Sequence, residues 1–215
     1  MPDENSSRPI RPLTDVWLKP RRVFRELAAA PITRTDYLLA AAQGMVSWLA
    51  LCRAQSAGLH SSVEEIFGKS LIVGPIAGVL GILVMSAIYG QIGRRIGGSA
   101  TRSQVFHVLA YGGVPLVVSL GIWAVTGLLL GTTAFIDKAP PDMDFLPGLL
   151  LKFQSVAHVA LIGWSLLIQV MGFSEVQGLA VKRAIGLWVI GQVLVLCAVI
   201  FLIVVLYGPN VPPPP

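Results

Sequence analysis

The stretch MGFSEVQGLAVKRAIG, residues 171–186, sets Ser174, Glu175, Gln177, Lys182 and Arg183 between two long apolar runs. An unpaired charge is strongly destabilising in hydrocarbon, so such residues mark either a site inside a membrane or a turn outside one. Composition establishes that a membrane is involved. With 54% hydrophobic residues, 13% charged residues and a mean hydropathy of +0.74, the 215-residue chain has too little polar material to cover a water-soluble globule. The placement of its charges then matters more than their net value of +5.

Working outward from residue 171, five apolar runs are long enough to cross a hydrocarbon core about 30 Å thick as helices. They cover approximately Tyr37 to Leu59, Ser70 to Gly93, Gln104 to Gly131, Leu149 to Phe173 and Ala184 to Tyr207. In the first run Arg53 falls near the far end and is expected to snorkel to that interface. The opening MPDENSSRPIRPLTD is polar, and the first apolar run begins too late for a signal-peptide core, so no cleavable signal is expected. If the N-terminus is inside, Arg8, Arg11, Lys19, Arg21, Arg22, Arg25, Arg34, Arg94, Arg95, Arg102, Lys182 and Arg183 are cytoplasmic. Only Arg53, Lys69, Lys138 and Lys152 fall on the other side, a strong positive-inside bias that puts the C-terminus outside.

Residues 171–186 therefore read as an inner corner. Gly172 is expected to end the fourth span in a left-handed conformation, with Ser174 capping the next helix, Gln177 closing a capping box and Glu175 in a favourable first turn. The other inner corner, RRIGGSATRSQ, has the same grammar: Arg94 and Arg95 at a helix end, Gly97 and Gly98 as a stop, and Thr101 with Gln104 as a box. Helix termination explains these residue types, and a basic rim for a partner or for lipid headgroups is the functional reading beside it. A third inner element is LTDVWLKPRRVFRELAAAP, in which Pro20 can open a short helix. Its Val23, Phe24, Leu27 and Ala28 oppose Arg21, Arg22, Arg25 and Glu26, as expected of an amphipathic helix lying on the membrane beside Trp17.

These elements carry a resemblance. Trp17 with Pro20 and Phe24, then GGSATRSQVFHVLAYGGVP from Gly97, then WSLLIQVMGFSEVQGLAVKRA from Trp164 resemble, in that order, the Yip family of five-span membrane proteins. The pattern covers nearly all of the chain and includes Ala110, Tyr111, Pro115, Gly172, Ser174, Lys182 and Ala184, none of them a catalytic signature. Eukaryotic members interact with Rab-type GTPases and usually carry a long polar N-terminal region. Here that region is short and looks like that of the bacterial members, which implies an inner-membrane location.

Chemistry within the spans is sparse. His107 and His158 differ by about 12 Å in depth, which argues against a shared metal or haem and for packing histidines, and His60 falls in a loop. Cys52 and Cys197 are separated by about 10 Å in depth, beyond disulfide reach. Gln43, Gln154, Gln169 and Gln192 read as interhelical hydrogen-bonding groups, with a polar transport path as the alternative; no carboxylate is expected beside them. Gly74-x-x-x-Gly78, Ala77-x-x-x-Gly81 and Gly127-x-x-x-Gly131 allow close helix approach, within the chain or in a homo-oligomer. Pro75 predicts an irregular start to the second span, and Pro115 a kink near Gly112 that serves as a hinge or a fixed bend. The outer loop with Asp137, Asp142 and Asp144 lacks calcium-ligand spacing, and GPNVPPPP predicts an exposed polyproline tail.

The sequence thus predicts an all-α membrane protein: a polar segment over 1–35 with an amphipathic interfacial helix, a five-transmembrane-helix bundle over 36–208, and a Pro-rich tail over 209–215. No enzyme motif, nucleic-acid module, cofactor or metal site is read. The expected role is a scaffold that meets an unidentified protein, or anionic headgroups, through Arg21, Arg22, Arg25, Arg94, Arg95, Arg102, Lys182 and Arg183. A small transporter or lipid-handling protein using the kinked third span and the glutamines is the alternative.

Overall fold

The computed structural model describes residues 10–138 and 143–207, with only the backbone of 198–200 and 202–207. Expectations about Arg8, Asp142 and the proline tail lie outside the described residues. Every regular element described is helical: α1 (Pro12–Asp15), α2 (Pro20–Leu27), α3 (Arg34–Ala54), α4 (Val63–Arg95), α5 (Arg102–Gly112), α6 (Val114–Leu130), α7 (Phe145–Gln177) and α8 (Val181–Tyr207). Short 3₁₀ turns follow α3 at Ala57–Leu59 and α6 at Gly131–Phe135. Among the described residues, three stretches, Val63–Arg95, Arg102–Phe135 and Phe145–Gln177, are long and apolar enough to cross a membrane. Their outward side chains are apolar as well, with Ile72 68%, Leu128 86% and Val156 69% exposed, so the outside of the bundle suits hydrocarbon rather than water.

Local sequence sets the helix ends. Ser62 Oγ accepts from Glu65 N at 3.2 Å at the start of α4, and Arg94 and Arg95 occupy its last turn, matching the helix dipole at both ends. Gly97 follows with a φ of 93°, and Thr101 and Gln104 form the expected capping box of α5. Pro75 does not interrupt α4, which is continuous and begins earlier than its apolar run.

The seam between α3 and α4 depends on glycine. A Cβ on Gly44 would come within 2.6 Å of the Gly78 Cα, and one on Gly74 within 2.7 Å of the Met45 Cα. The Gly74-x-x-x-Gly78 face is therefore filled by α3 of the same chain and is not left open for a second copy. Around this seam lie two cores. One, at the end near α2, includes Phe24, Tyr89, Phe106, Phe173 and Leu187; the other, at the far end, joins Leu49, Ile66, Trp123 and Phe135.

Two expectations need correction. The helix does not end at Gly172: α7 runs on to Gln177 and terminates at Gly178, which takes the left-handed conformation at φ 65°. Ser174 and Gln177 consequently stand in the last turn of α7 and form no box for α8. Ser174 Oγ donates to Leu179 O at 2.7 Å, closing the end of α7 instead. Gly172 is needed for contact, because a Cβ there would lie 2.7 Å from Phe24 Cε2 and 2.9 Å from Val108 Cγ1.

That contact explains the second correction. The apolar face of α2 does not turn toward lipid: Val23 and Phe24 are fully buried against α5 and α7, and Val16, Trp17, Val23 and Phe24 share the main core with the bundle. The kink expected near Gly112 is present, as a break at Gly113 between two helices. Pro115 has no N–H to offer Tyr111 O, and Gln43 of α3 serves the two carbonyls before it, donating from Nε2 to Ala110 O at 2.9 Å and Leu109 O at 3.4 Å. A Cβ on Gly113 would collide with that amide.

Candidate functional site

Gln177 joins the corner between α4 and α5 to the corner between α7 and α8. Its side-chain Oε1 accepts from Ala100 N at 3.1 Å and its backbone oxygen from Ser99 N at 3.3 Å. Gly93 and Gly98 leave the space that its amide occupies; a Cβ on Gly93 would lie 2.5 Å from Gln177 Cδ. The corner carrying Arg94, Arg95 and Arg102 is thereby fixed to the corner carrying Lys182 and Arg183. All five are exposed, and among the described residues none of them makes an ion pair.

α2 docks beside this junction. Arg25 Nε donates to Glu175 Oε1 at 2.7 Å, which raises the Arg25 pKa above its usual value through that hydrogen bond and the carboxylate charge. Since the guanidinium is open to solvent, the pair orients α2 more than it stabilises it. Gln104 Nε2 donates to Ala28 O at 3.0 Å, tying the end of α2 to the first turn of α5. Arg22 pairs with Glu26, whereas Arg21 is exposed. Of the predicted rim residues, Arg22 and Arg25 are thus occupied in holding α2, and Ser174, Gln177, Gly98 and Gly172 fix the helices that carry the rest.

Beneath the rim lies a pair that sequence reasoning reached by only half. His107, expected as a packing histidine, has its Nδ1 2.5 Å from Asp36 Oδ1, a partner that was not foreseen, and both residues are 1% exposed. His107 Nε2 lies 3.2 Å from Ala30 O, and Asp36 Oδ2 accepts from Thr33 N at 2.8 Å and Thr33 Oγ1 at 2.7 Å. The Ala30 carbonyl can only accept, so Nε2 carries a proton, and a second proton lies between Nδ1 and the carboxylate. The pair is net neutral whichever partner holds that proton, which suits a buried site. The local signal was present as Thr33-x-x-Asp36, a capping box at the start of α3.

The glutamines divide. Gln43 and Gln169 bond across helices, the latter accepting from Trp188 Nε1 at 3.2 Å, as expected. Gln192 is exposed on α8. Gln154 is 1% exposed, yet neither of its amide atoms has a partner in the structure.

Long apolar helices with an apolar exterior and charges gathered at a helix-corner surface define a multi-pass α-helical membrane protein. A family model described as the Yip1 domain matches residues 14–207, and the chain belongs to that family. No curated protein and no solved structure matches it. The residues that carry the resemblance, among them Phe24, Gly98, Pro115 and Gly172, stand at helix contacts and breaks.

Proposed function

We propose that this Yip1-domain protein is a non-enzymatic scaffold of the inner membrane whose cytoplasmic basic rim docks an acidic protein surface or anionic headgroups. On this reading the bundle has five spans. α3, with 21 residues, and α8, with 27, are about 31 and 40 Å long, enough to join the three longer apolar stretches across a core of about 30 Å. The bias of basic residues puts the N-terminus and the rim inside and the C-terminus outside. α2 adds a partly amphipathic ledge at the interface, with its apolar face held by the protein and Arg21 outward.

The observation that carries the reading is the Gln177 junction, which makes one rigid surface of five exposed, unpaired cations from two separate corners. Such a surface attracts anionic partners with a strength that falls as salt screens it. The test is Arg102→Gln with Lys182→Gln, which leaves enough inner positive charge to hold orientation. The variant should insert normally and lose salt-sensitive co-purifying partners. An unchanged partner set, or wild-type protein that retains no specific partner at any ionic strength, would reject the proposal.

A further inference from the structure

At the end of the bundle opposite the rim is a cavity of about 280 Å³. Its polar wall comprises Arg53, Trp123, Asp137, Gln154, Ser155 and His158. Trp123 Nε1, both amide atoms of Gln154 and His158 Nδ1 are shut off from solvent without a partner, and Gln154 and Trp123 are 1% and 2% exposed. A buried amide with nothing to bond is destabilising, and a leucine would serve a purely structural role better. The cluster therefore has the character of a site that is completed by another molecule.

The atoms on the wall indicate what that molecule presents. An indole and a guanidinium only donate, and an amide donates from two N–H groups. Arg53 Nη2 donates to Ser155 Oγ at 3.1 Å, while Ser155 Oγ donates to Leu151 O at 2.8 Å, so the serine orients the guanidinium without neutralising it. The carboxylate in the wall, Asp137, is exposed at the mouth and acts electrostatically on Arg53, so the wall carries one charge of each sign; inside, Gln154 Oε1 is an acceptor, while Trp123 Nε1, Gln154 Nε2 and the remaining guanidinium N–H groups are donors. These donors suit an oxyanion, and a guanidinium is well shaped to hold a phosphate.

Position decides where the phosphate comes from. Arg53 is in the last turn of α3, near headgroup level, whereas Trp123 lies seven residues before the end of α6, about 10 Å deeper by helical rise. Val159 lines the cavity and is 67% exposed on the apolar outside of α7, beside Val156 at 69%. The cavity therefore borders the lipid face, and a chain lying over these valines could lead a headgroup in sideways. We propose that this cavity binds the phosphate group of a membrane lipid, held by Arg53, the Trp123 indole N–H and the Gln154 amide.

Two variants test the proposal, Arg53→Gln and Gln154→Leu, compared with the otherwise wild-type chain, all in the Arg102→Gln/Lys182→Gln background so that lipid on the basic rim contributes little. The purified full-length proteins, in neutral detergent, are titrated with phosphatidylglycerol and separately with inorganic phosphate. Bound lipid is read by native mass spectrometry and stability by thermal unfolding. The parent should bind lipid and melt higher with it. Each variant should bind on the order of tenfold more weakly, as for loss of a hydrogen bond to a charged group. Without lipid, Gln154→Leu should melt no lower than the parent because an orphaned amide has gone, which separates lost binding from misfolding. A parent that retains no lipid, variants that retain it equally, or inorganic phosphate that stabilises the parent as well as lipid at equal concentration would each overturn the proposal.

Discussion

Replacing Gly172 by alanine sets two calculable effects against each other. In an open helix interior the change stabilises by about 1 kcal/mol, because alanine loses less backbone freedom than glycine. At Gly172 the new Cβ would lie 2.7 and 2.8 Å from two ring carbons of Phe24 and 2.9 Å from Val108 Cγ1, so side chains must move. Overpacking of this kind is destabilising by about 1–3 kcal/mol. Gly163, in the same helix with nothing within 4 Å, is the internal control and should show only the gain. Gly172→Ala should therefore melt below Gly163→Ala by the overpacking term alone, roughly 2–4 °C for each kcal/mol in a domain of this size. The assay is thermal unfolding in detergent together with limited trypsin digestion at Arg21 and Arg25. Cleavage in α2 should accelerate in Gly172→Ala, because Phe24 is what seats that helix. Equal stabilisation by the two substitutions, with α2 equally protected, would refute the packing role assigned to Gly172.

His107→Ala leaves the Asp36 carboxylate buried with Thr33 alone, and should destabilise by about 3–5 kcal/mol. Asp36→Leu together with His107→Leu should recover much of that loss, and a double-mutant cycle that finds the two sites independent would show the pair is not coupled. Gly113→Ala should destabilise by roughly 1–3 kcal/mol through collision with the Gln43 amide, and much less in a Gln43→Ala background; thermal unfolding of the four proteins checks this. Pro115→Ala should change stability modestly, since Gln43 already serves the carbonyls at the break. Loss of a cellular phenotype at normal abundance would instead assign Pro115 a hinge role.

What was legible in the sequence was local. The Thr101–Gln104 box, the arginines closing α4, the Gly97 stop and the break before Pro115 each depend on residues a few positions apart. Where partners are distant in sequence, local grammar misled. Gly172 and Gly178 both offer a helix stop to the eye, and only the arrival of Phe24 from α2 shows which one is reserved for packing. Gln177 looked like half of a box because Ala100, 77 residues away, was not in view. Asp36 and His107 lie 71 residues apart, so a histidine was foreseen without its carboxylate. Gly74 and Gly78 announced a close helix contact, but nothing nearby named Gly44 as the residue that meets them. Gln154 read like the other glutamines because its lack of a partner is a property of the packed bundle alone.

Every part of the proposed function depends on the two corners facing the same side of the membrane, and on that side being the cytoplasm. The direct measurement is single-cysteine labelling in intact cells, with Cys52 and Cys197 replaced by serine and cysteine introduced at Ser99, Val181 or His60, all exposed positions. With a membrane-impermeant maleimide, Ser99→Cys and Val181→Cys should stay unlabelled until the cells are opened, whereas His60→Cys, in the loop after α3, should label from outside. Labelling of either corner in intact cells, or of one corner without the other, would contradict a shared cytoplasmic rim.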